Sequence, residues 1–363
     1  MLLVLAALDR QRWLTLAGRC PLVFEQMLLW PPRGYMPTDR LPTYDDILAA
    51  AARLSALAVK TPLVEHPALN ARTGGRVLLK AENLQRVGAF KFRGAYNAVA
   101  QINRAEFPGG VVACSSGNHA QGIAAAATLC NMRSFVVMPA DAPRLKIERT
   151  KAFGAEVHLY DRNTEDRDAI AHRICAERKA AFVHPFDDAR VIAGQGTVGL
   201  ELMAQAEAIG AMPDAVLVCC SGGGLASGIS IAVKHANPAS EVFTVEPAGF
   251  DDFARSLVSG QREKNAHMSG SICDALMSNS PGKLTFAVGQ TTMKGGLTIT
   301  DDEARAAMRF AYHELKLVLE PGGAAALAAV LAGKLPTKNR TIACVLSGGN
   351  VDPADFAQII MAA

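Results

Sequence analysis

Short, valine-rich apolar segments alternate with longer helix-like stretches along most of this sequence. Runs of this kind are typical of parallel strands that are covered by helices on both faces. The alternation therefore predicts an α/β fold with mostly parallel sheets, each packed between helical layers. The predicted strands are Arg76–Lys80, Gly110–Ala113, Ser134–Met138, Glu156–Leu159, Ala215–Cys219, Glu241–Val245 and Thr341–Leu346.

The intervening segments carry the predicted helices. These helices are Tyr44–Leu57, Gly94–Gln101, Ala120–Leu129, Arg144–Phe153, Arg167–Arg178, Thr197–Ile209, Ala226–Ala236, Asp301–Glu314 and Ala324–Leu331. At about 150 residues per domain, the 363 residues predict two domains. Residues 1–35 are interpreted as a poorly packed N-terminal extension, and an organelle-targeting peptide is the less favoured interpretation.

Charge and cysteine usage narrow the class of protein. The net charge of +3 is too small to indicate a nucleic-acid or membrane partner. The sequence has no uninterrupted apolar run of the roughly 18 residues that a membrane helix needs. Eight cysteines occur without a CxxC pair, which predicts reduced thiols in a cytoplasmic protein instead of disulfides or a zinc site.

Ligands bind open α/β sheets at the carboxyl ends of the strands, so each strand-to-helix junction is a candidate site. After Ala215–Cys219 the chain reads Ser-Gly-Gly-Gly-Leu, with glycines at Gly222, Gly223 and Gly224 followed by Leu225. Successive glycines turn backbone N–H groups toward an anion, and the helix N-terminus adds a favourable dipole, which together suit a phosphate.

Two other interpretations of this glycine loop stay open at the level of sequence. One is a plain glycine turn. The other is a dinucleotide site of an oxidoreductase, in which Gly222 and Gly224 form GxG and Glu246 ends the next strand as the ribose-binding acid. Ser227 departs from that fingerprint, because its third position is normally Gly or Ala.

A second junction follows the strand Gly110–Ala113. It reads Ser-Ser-Gly-Asn-His, from Ser115 and Ser116 through Asn118 to His119, and opens a helix. Hydroxyl, amide and N–H groups at a helix N-terminus can hold a carboxylate. One serine would suffice as a helix cap, and five consecutive polar or flexible residues exceed that need.

The third and fourth junctions carry a lysine and a hydroxyl. Lys91 stands between Phe90 and Phe92 just before a predicted helix, and a lysine in an apolar setting is a candidate for Schiff-base chemistry. Ser347 follows the last predicted strand and precedes two glycines. A cofactor-free binding protein is the alternative in which Lys91 has no chemical role.

Together the four junctions resemble one family, the pyridoxal-phosphate enzymes with the tryptophan-synthase β-subunit fold (fold type II). Within it they resemble the serine/threonine dehydratases and serine racemases. The resemblance runs from about Pro42 to Val351, with the four motifs in the family's order. It implies two three-layer domains: a large cofactor domain of residues 36–87 and 181–363, and a small substrate-carboxylate domain of residues 88–180.

The resemblance also assigns cofactor-binding roles. Lys91 would bind the cofactor as a Schiff base, with Phe90 near the ring and Asn118 bonded to the ring's 3′-oxygen. Residues Gly222, Gly223, Gly224 and Leu225 would cradle the phosphate. Ser347 would face the pyridine nitrogen, where a hydroxyl leaves the ring a weaker electron sink than a carboxylate would.

Substrate roles follow from the same resemblance. Ser115, Ser116, Asn118 and His119 would receive the substrate carboxylate, and Lys91 would take the Cα proton. The implied reaction is dehydration and deamination of L-threonine, L-serine or 3-hydroxyaspartate to a 2-oxo acid and ammonia. Ser116 keeps a racemase with side dehydratase activity open, because that hydroxyl reprotonates Cα in racemases.

Two further expectations rest on the racemase-like branch. Glu246, Asp252 and the backbone carbonyl of Phe250 would bind a divalent cation, and oxygen ligands suit Mg²⁺, Ca²⁺ or Mn²⁺. A solvated acidic loop is the other interpretation of this segment. The small-molecule substrate is an amino acid, and a homo-oligomer, most simply a dimer, is expected.

Overall fold

A computed structural model describes residues 40–142, 144–267 and 269–362. The prediction for the extension 1–35, which contains Cys20 as one of the eight cysteines, lies outside these residues. In these ranges, no helix is both long and apolar enough to cross a membrane.

Ten strands and thirteen α-helices form within the described residues. The strands are β1 (Leu63–Glu65), β2 (Arg76–Ala81), β3 (Gly110–Cys114), β4 (Ser134–Pro139), β5 (Glu156–Tyr160), β6 (Ala180–Phe182), β7 (Ala215–Cys219), β8 (Glu241–Pro247), β9 (Gly295–Ile299) and β10 (Thr341–Leu346). The helices are α1 (Tyr44–Leu54), α2 (Pro67–Thr73), α3 (Lys91–Val99), α4 (Asn118–Leu129), α5 (Arg144–Ala152), α6 (Arg167–Arg178), α7 (Ala189–Ala208), α8 (Gly224–Ala236), α9 (Asp252–Ser259), α10 (Lys283–Thr292), α11 (Asp301–Phe310), α12 (Ala325–Leu331) and α13 (Pro353–Met361).

The strands form two separate sheets. The larger has six strands in the order β1-β2-β10-β7-β8-β9, and the smaller has four in the order β5-β4-β3-β6. Every pairing is parallel except that between β1 and β2. The α/β class with mostly parallel sheets is therefore confirmed.

Burial explains the apolar character of the central strands. Every residue of β3, β4 and β7 is buried, as expected for strands covered on both faces. The core of the larger sheet is built from these β7 residues, from β2 and β10, and from the alanine-rich helix α12. Because alanine is small, α12 packs closely on the sheet, and every residue from Ala325 to Val330 is buried.

All seven predicted strands are present, with ends that differ by two residues at most. Four helix ends differ by three residues or more: Tyr44–Leu57 ends at Leu54, Gly94–Gln101 begins at Lys91, and the other two differ most. The predicted helix Thr197–Ile209 in fact begins at Ala189, because the Asp188 side chain caps it by accepting a hydrogen bond from Arg190 N at 2.8 Å. The predicted helix Asp301–Glu314 ends as an α-helix at Phe310 and continues as a π-turn over Ala311–Leu315.

Candidate functional site

The lysine and serine junctions lie side by side although 256 residues separate them in sequence. Ala89 and Gly348 form an isolated antiparallel bridge, and Phe90 N donates to Ser347 O at 3.0 Å. One residue further, Gly349 N donates to Gly88 O at 2.9 Å. These backbone bonds fix Lys91 next to the carboxyl end of β10.

A buried ion pair anchors the helix that starts with Lys91. Arg93 is 1% exposed and bonds both oxygens of Glu82, at 2.8 Å each, and also Glu201 at 2.8 Å. Bidentate pairing of this kind fixes orientation as well as position. The first turn of α3 is thereby held against the larger sheet, and the sequence interpretation had given Arg93 no role.

Lys91 is enclosed by protein while its side chain borders a cavity. Its Nζ donates to Pro185 O at 2.8 Å and lies 5.2 Å from the Phe90 ring centre. Burial lowers the pKa of Lys91 to about 8, and the nearby Cys219 thiol acts weakly in the other direction. A substantial fraction of neutral amine is therefore present near pH 8, and only the neutral amine is a nucleophile or base.

The glycine loop follows β7 and is shaped by close neighbours. Gly223 has φ +96°, and a Cβ there would lie 2.3 Å from the Phe253 ring and 2.8 Å from Thr285 Cβ. Thr285 Oγ1 donates to Gly222 O at 2.6 Å, which fixes the loop from the opposite side. Gly224 and Leu225 begin α8, so their N–H groups have no acceptor within the helix and can bind an anion.

The serine-rich junction follows β3 and opens α4. Ser115 Oγ accepts a hydrogen bond from Gly117 N at 3.1 Å, and Asn118 is the first residue of α4. His119 is 2% exposed, and burial lowers its pKa to about 3, so the ring is neutral. Its Nε2 donates to Val183 O at 3.3 Å, which leaves Nδ1 without a hydrogen-bond partner in the part of the chain described.

Ser347 completes the set at the carboxyl end of β10. It is 4% exposed, and its hydroxyl hydrogen-bonds the Cys219 thiol at the end of β7. Burial raises the pKa of Cys219 to about 11, so this thiol stays protonated at neutral pH. A hydroxyl and a neutral thiol thus form this wall of the site.

One cavity of about 380 Å³ collects these junctions. Its walls include every residue predicted for cofactor and substrate binding: Phe90, Lys91, Ser115, Ser116, Asn118, His119, Gly222, Gly223, Gly224, Leu225 and Ser347. Four distant parts of the chain therefore contribute to one site.

Glu320, Lys146 and Arg167 are charged residues at this site that the sequence interpretation missed. Glu320 is 4% exposed, lines the cavity and accepts a hydrogen bond from Asn118 Nδ2 at 2.6 Å. Lys146 pairs with Asp274 at 2.5 Å, and both line the same cavity, as does Arg167. No local motif marks these residues, because each comes from a different segment.

The acidic residues at the end of β8 and the start of α9 lie outside this cavity wall. Glu246 is fully buried and accepts hydrogen bonds from Phe253 N at 2.9 Å and Ala254 N at 2.8 Å, so it caps α9. Asp252 accepts a hydrogen bond from Asn265 Nδ2 at 2.5 Å. No group of three or more His, Cys, Asp or Glu side chains suited to a metal ion occurs within the described ranges. The structure therefore gives the predicted cation site no support.

The fold and the cavity define an α/β enzyme that pairs an anion-binding glycine loop with a lysine of lowered pKa. The chain belongs to the family described as pyridoxal-phosphate dependent enzyme, which matches residues 54–348. Pyridoxal phosphate fits these residues, because the glycine loop suits its phosphate and Lys91 suits its aldehyde. The family match excludes the dinucleotide alternative. Ser227, which departs from the dinucleotide fingerprint, is a buried residue whose hydroxyl donates to Thr285 O at 2.9 Å.

Individual relatives are similar over most of the chain. An L-threo-3-hydroxyaspartate ammonia-lyase of Saccharomyces cerevisiae is 40% identical, over 88% of this chain and 97% of its own length. A serine racemase of Schizosaccharomyces pombe is 38% identical, over 88% and 98% respectively. The crystal structure of a T.th. threonine deaminase has a TM-score of 0.80 and 41% identity, over 86% of this chain and 99% of that one.

Proposed function

We propose that this protein is an ammonia-lyase that converts a β-hydroxy amino acid (L-threonine, L-serine or 3-hydroxyaspartate) into a 2-oxo acid and ammonia. The observation that carries the proposal is the single cavity that joins Lys91, the glycine loop, the serine-rich junction and Ser347. The names of the similar ammonia-lyase and threonine deaminase support the reaction class.

Bound pyridoxal phosphate supplies an aldehyde for the amino group and a conjugated ring that draws electrons from Cα. The N–H groups of Gly222–Leu225 hold the phosphate at the start of α8. Ser115, Ser116, Asn118 and His119 receive the substrate carboxylate near the N-terminus of α4. Lys91, neutral in part because its pKa is about 8, takes the Cα proton as general base.

The elimination breaks the Cβ–O bond and releases water, and later hydrolysis breaks the C–N bond and consumes one water. The net products are therefore one 2-oxo acid and one ammonia per substrate. Ser347 favours loss of the β-substituent, because a hydroxyl does not hold a proton on the ring nitrogen as a carboxylate would.

The proposal is tested with purified protein and a panel of L-serine, L-threonine and both 3-hydroxyaspartate diastereomers. Formation of oxo acid is followed together with the enantiomer composition of the remaining amino acid. We expect oxo acid from at least one member of the panel. Absence of oxo acid from all four, with the cofactor bound, would contradict the proposal.

A racemase is the second candidate, because the Ser116 hydroxyl lines the same cavity as Lys91 and two of the relatives are named serine racemases. In the same assay a racemase produces the opposite enantiomer. The variant Ser116→Ala then distinguishes the two activities, since it removes one proton donor and leaves Lys91 in place.

Replacement of Ser347 by aspartate is expected to change the visible absorbance of the bound cofactor and to slow elimination. The carboxylate would hold a proton on the ring nitrogen, which the serine hydroxyl cannot do. The absorbance spectrum and the rate of oxo-acid formation measure the two effects, with Ser347→Thr as the hydroxyl-retaining control. Unchanged turnover of the aspartate variant would refute this role for Ser347.

A divalent cation bound by Glu246, Asp252 and the Phe250 carbonyl also stays a proposal. It rests on the resemblance to the racemase-like branch and on the oxygen ligands that two carboxyl groups and a carbonyl offer. Chelation is expected to lower activity and Mg²⁺ to restore it. Complete indifference of activity and thermal stability to chelator would dismiss the site.

We also propose how the chain is divided into domains, where the protein is located and how it assembles. The small domain, residues 88–180, is supported by the four-stranded sheet, whose last strand ends two residues later at Phe182. A cytoplasmic location is supported by seven buried cysteines that are all free in the described chain. A homodimer is proposed from the family resemblance alone.

A further inference from the structure

A chain of hydrogen bonds runs from the small sheet's side of the molecule into the cavity. Arg149 Nη1 in α5 donates to Asn350 Oδ1 at 3.1 Å. Asn350 Nδ2 donates to Asn118 Oδ1 at 2.7 Å, and Asn118 Nδ2 donates to Glu320 Oε1 at 2.6 Å. The chain thus ends on a carboxyl group in the cavity wall.

The groups at the two ends of this chain of hydrogen bonds determine which atom donates and which accepts in each bond. A guanidinium can only donate, and an ionised carboxylate can only accept. Asn350 Nδ2 also donates to Val87 O at 2.7 Å, so its amide cannot turn over without losing two bonds. If the Asn118 amide turned over, its nitrogen would face the Asn350 nitrogen and its oxygen would face Glu320.

The packing at Gly348 allows the side chains of Glu320 and Asn118 to meet. A Cβ at Gly348 would lie 2.1 Å from Glu320 Oε1 and 3.2 Å from Asn118 Nδ2, so only glycine lets these two side chains meet. Glu320 is also tied by its backbone, since Glu320 N donates to Gly348 O at 3.1 Å. The carboxyl group is therefore held against Asn118 by the same segment that carries Ser347.

The surroundings of Glu320 shift the pKa of its carboxyl group. Burial, and to a lesser degree the charge of Asp274, raises the pKa of Glu320 to about 7. The hydrogen bond from Asn118 and the charge of Lys146 act in the opposite direction. Lys146 also pairs directly with Asp274 at 2.5 Å, so its charge acts on both carboxyl groups.

We propose that Glu320 and Asn350 are positioning residues that fix the amide of Asn118 toward the cofactor, and that Glu320 gains and loses a proton in this role. The inference rests on the proposed function, in which Asn118 donates to the ring oxygen. One Nδ2 hydrogen of Asn118 is taken by Glu320, and the second is left for the ligand. Ionised Glu320 strengthens the first bond and places a negative charge beside the ring site.

The first test is a pH titration of the visible absorbance of the holoenzyme. We expect the wild type to show a spectral step near pH 7 that is absent from Glu320→Gln, which keeps an acceptor oxygen and cannot titrate. Glu314→Gln, at an exposed position, is the matched control and should retain the step. If the cofactor is bound and the pH profile of its absorbance is the same in wild type and Glu320→Gln, the inference about Glu320 is refuted. The proposed function is not affected by that result.

The second test measures thermal stability and needs no turnover. The pKa of Glu320 is higher in the folded protein than its ordinary value of 4.5, so the folded state loses stability as pH rises through about 7. The Glu320→Gln variant does not lose this stability, because glutamine does not titrate. The melting temperature of Glu320→Gln relative to wild type should therefore increase between pH 5.5 and pH 8, and a difference independent of pH would contradict a titrating Glu320.

The variant Asn350→Asp tests the other end of the contact. Aspartate is similar in shape but has no N–H to donate to Asn118, so we expect about tenfold weaker cofactor binding, the equivalent of about 1.4 kcal/mol. The spectral step near pH 7 should remain, because Glu320 is intact. Unchanged affinity would refute the role of Asn350, and a wild type that binds no pyridoxal phosphate would overturn the proposed function itself.

Discussion

Replacement of Lys91 by alanine is expected to lower turnover by at least about 10³-fold, because it removes the proposed general base. It also removes the amine that we propose binds the cofactor covalently, so borohydride should no longer trap the cofactor on the protein. Oxo-acid formation and mass spectrometry of the reduced protein measure the two losses. Apoprotein stability should change little, since the Lys91 side chain makes one hydrogen bond to the described part of the chain, to Pro185 O.

Lys151→Ala is the matched control for this experiment. Lys151 lies in α5 with a side chain that is 51% exposed, and its one ion pair within the described residues is a surface pair with Glu148. Its removal should leave both turnover and covalent trapping unchanged. A Lys91→Ala variant that still traps the cofactor would show that another lysine carries the Schiff base.

Replacement of Gly223 by alanine is expected to weaken cofactor binding by about 10- to 100-fold, or roughly 1.4 to 2.8 kcal/mol. The positive φ of +96° disfavours any side chain, and the new Cβ would overlap the Phe253 ring and Thr285. The loop would have to move away from the position in which its N–H groups meet a phosphate. Titration of apoprotein with pyridoxal phosphate measures the dissociation constant.

Gly260→Ala separates backbone strain from the effect on the site. Gly260 ends α9 with φ +74°, and a Cβ there would meet nothing within 4 Å. This control should lose roughly 1 kcal/mol of unfolding free energy and keep its cofactor affinity. Equal cofactor affinity in the two variants would mean that the Gly223 loop does not hold the phosphate.

The sequence predicted the strands best where β-branched residues filled a fully buried position. All seven predicted strands are present, and the three that were missed are β1, β6 and β9. β1 and β6 have only three residues each, and β9 begins with Gly295 and Gly296, which favour no strand. These strands were missed because short or glycine-containing strands have no recognisable pattern in the sequence.

The candidate site was predictable where its residues form a local pattern. Glycine runs and serine-rich turns at strand ends are visible in a single sequence, and Lys91 stands out between two phenylalanines. Glu320 and Asn350 are not marked in this way, because their role depends on Asn118, more than 200 residues away. Similarly, Glu246 looked like a metal ligand in sequence, and only the structure shows it capping α9.

The position of β10 has a consequence for the synthesis of the protein. Among the described residues it is the last strand in sequence order, yet it lies between β2 and β7 in the larger sheet, and Ser347 follows it directly. A nascent or truncated chain that stops before Thr341 therefore leaves facing edges of β2 and β7 unpaired, which favours aggregation. The same chain lacks the Ala89–Gly348 bridge that holds Lys91. Closure of the larger sheet and the joining of Lys91 to Ser347 therefore depend on the same strand.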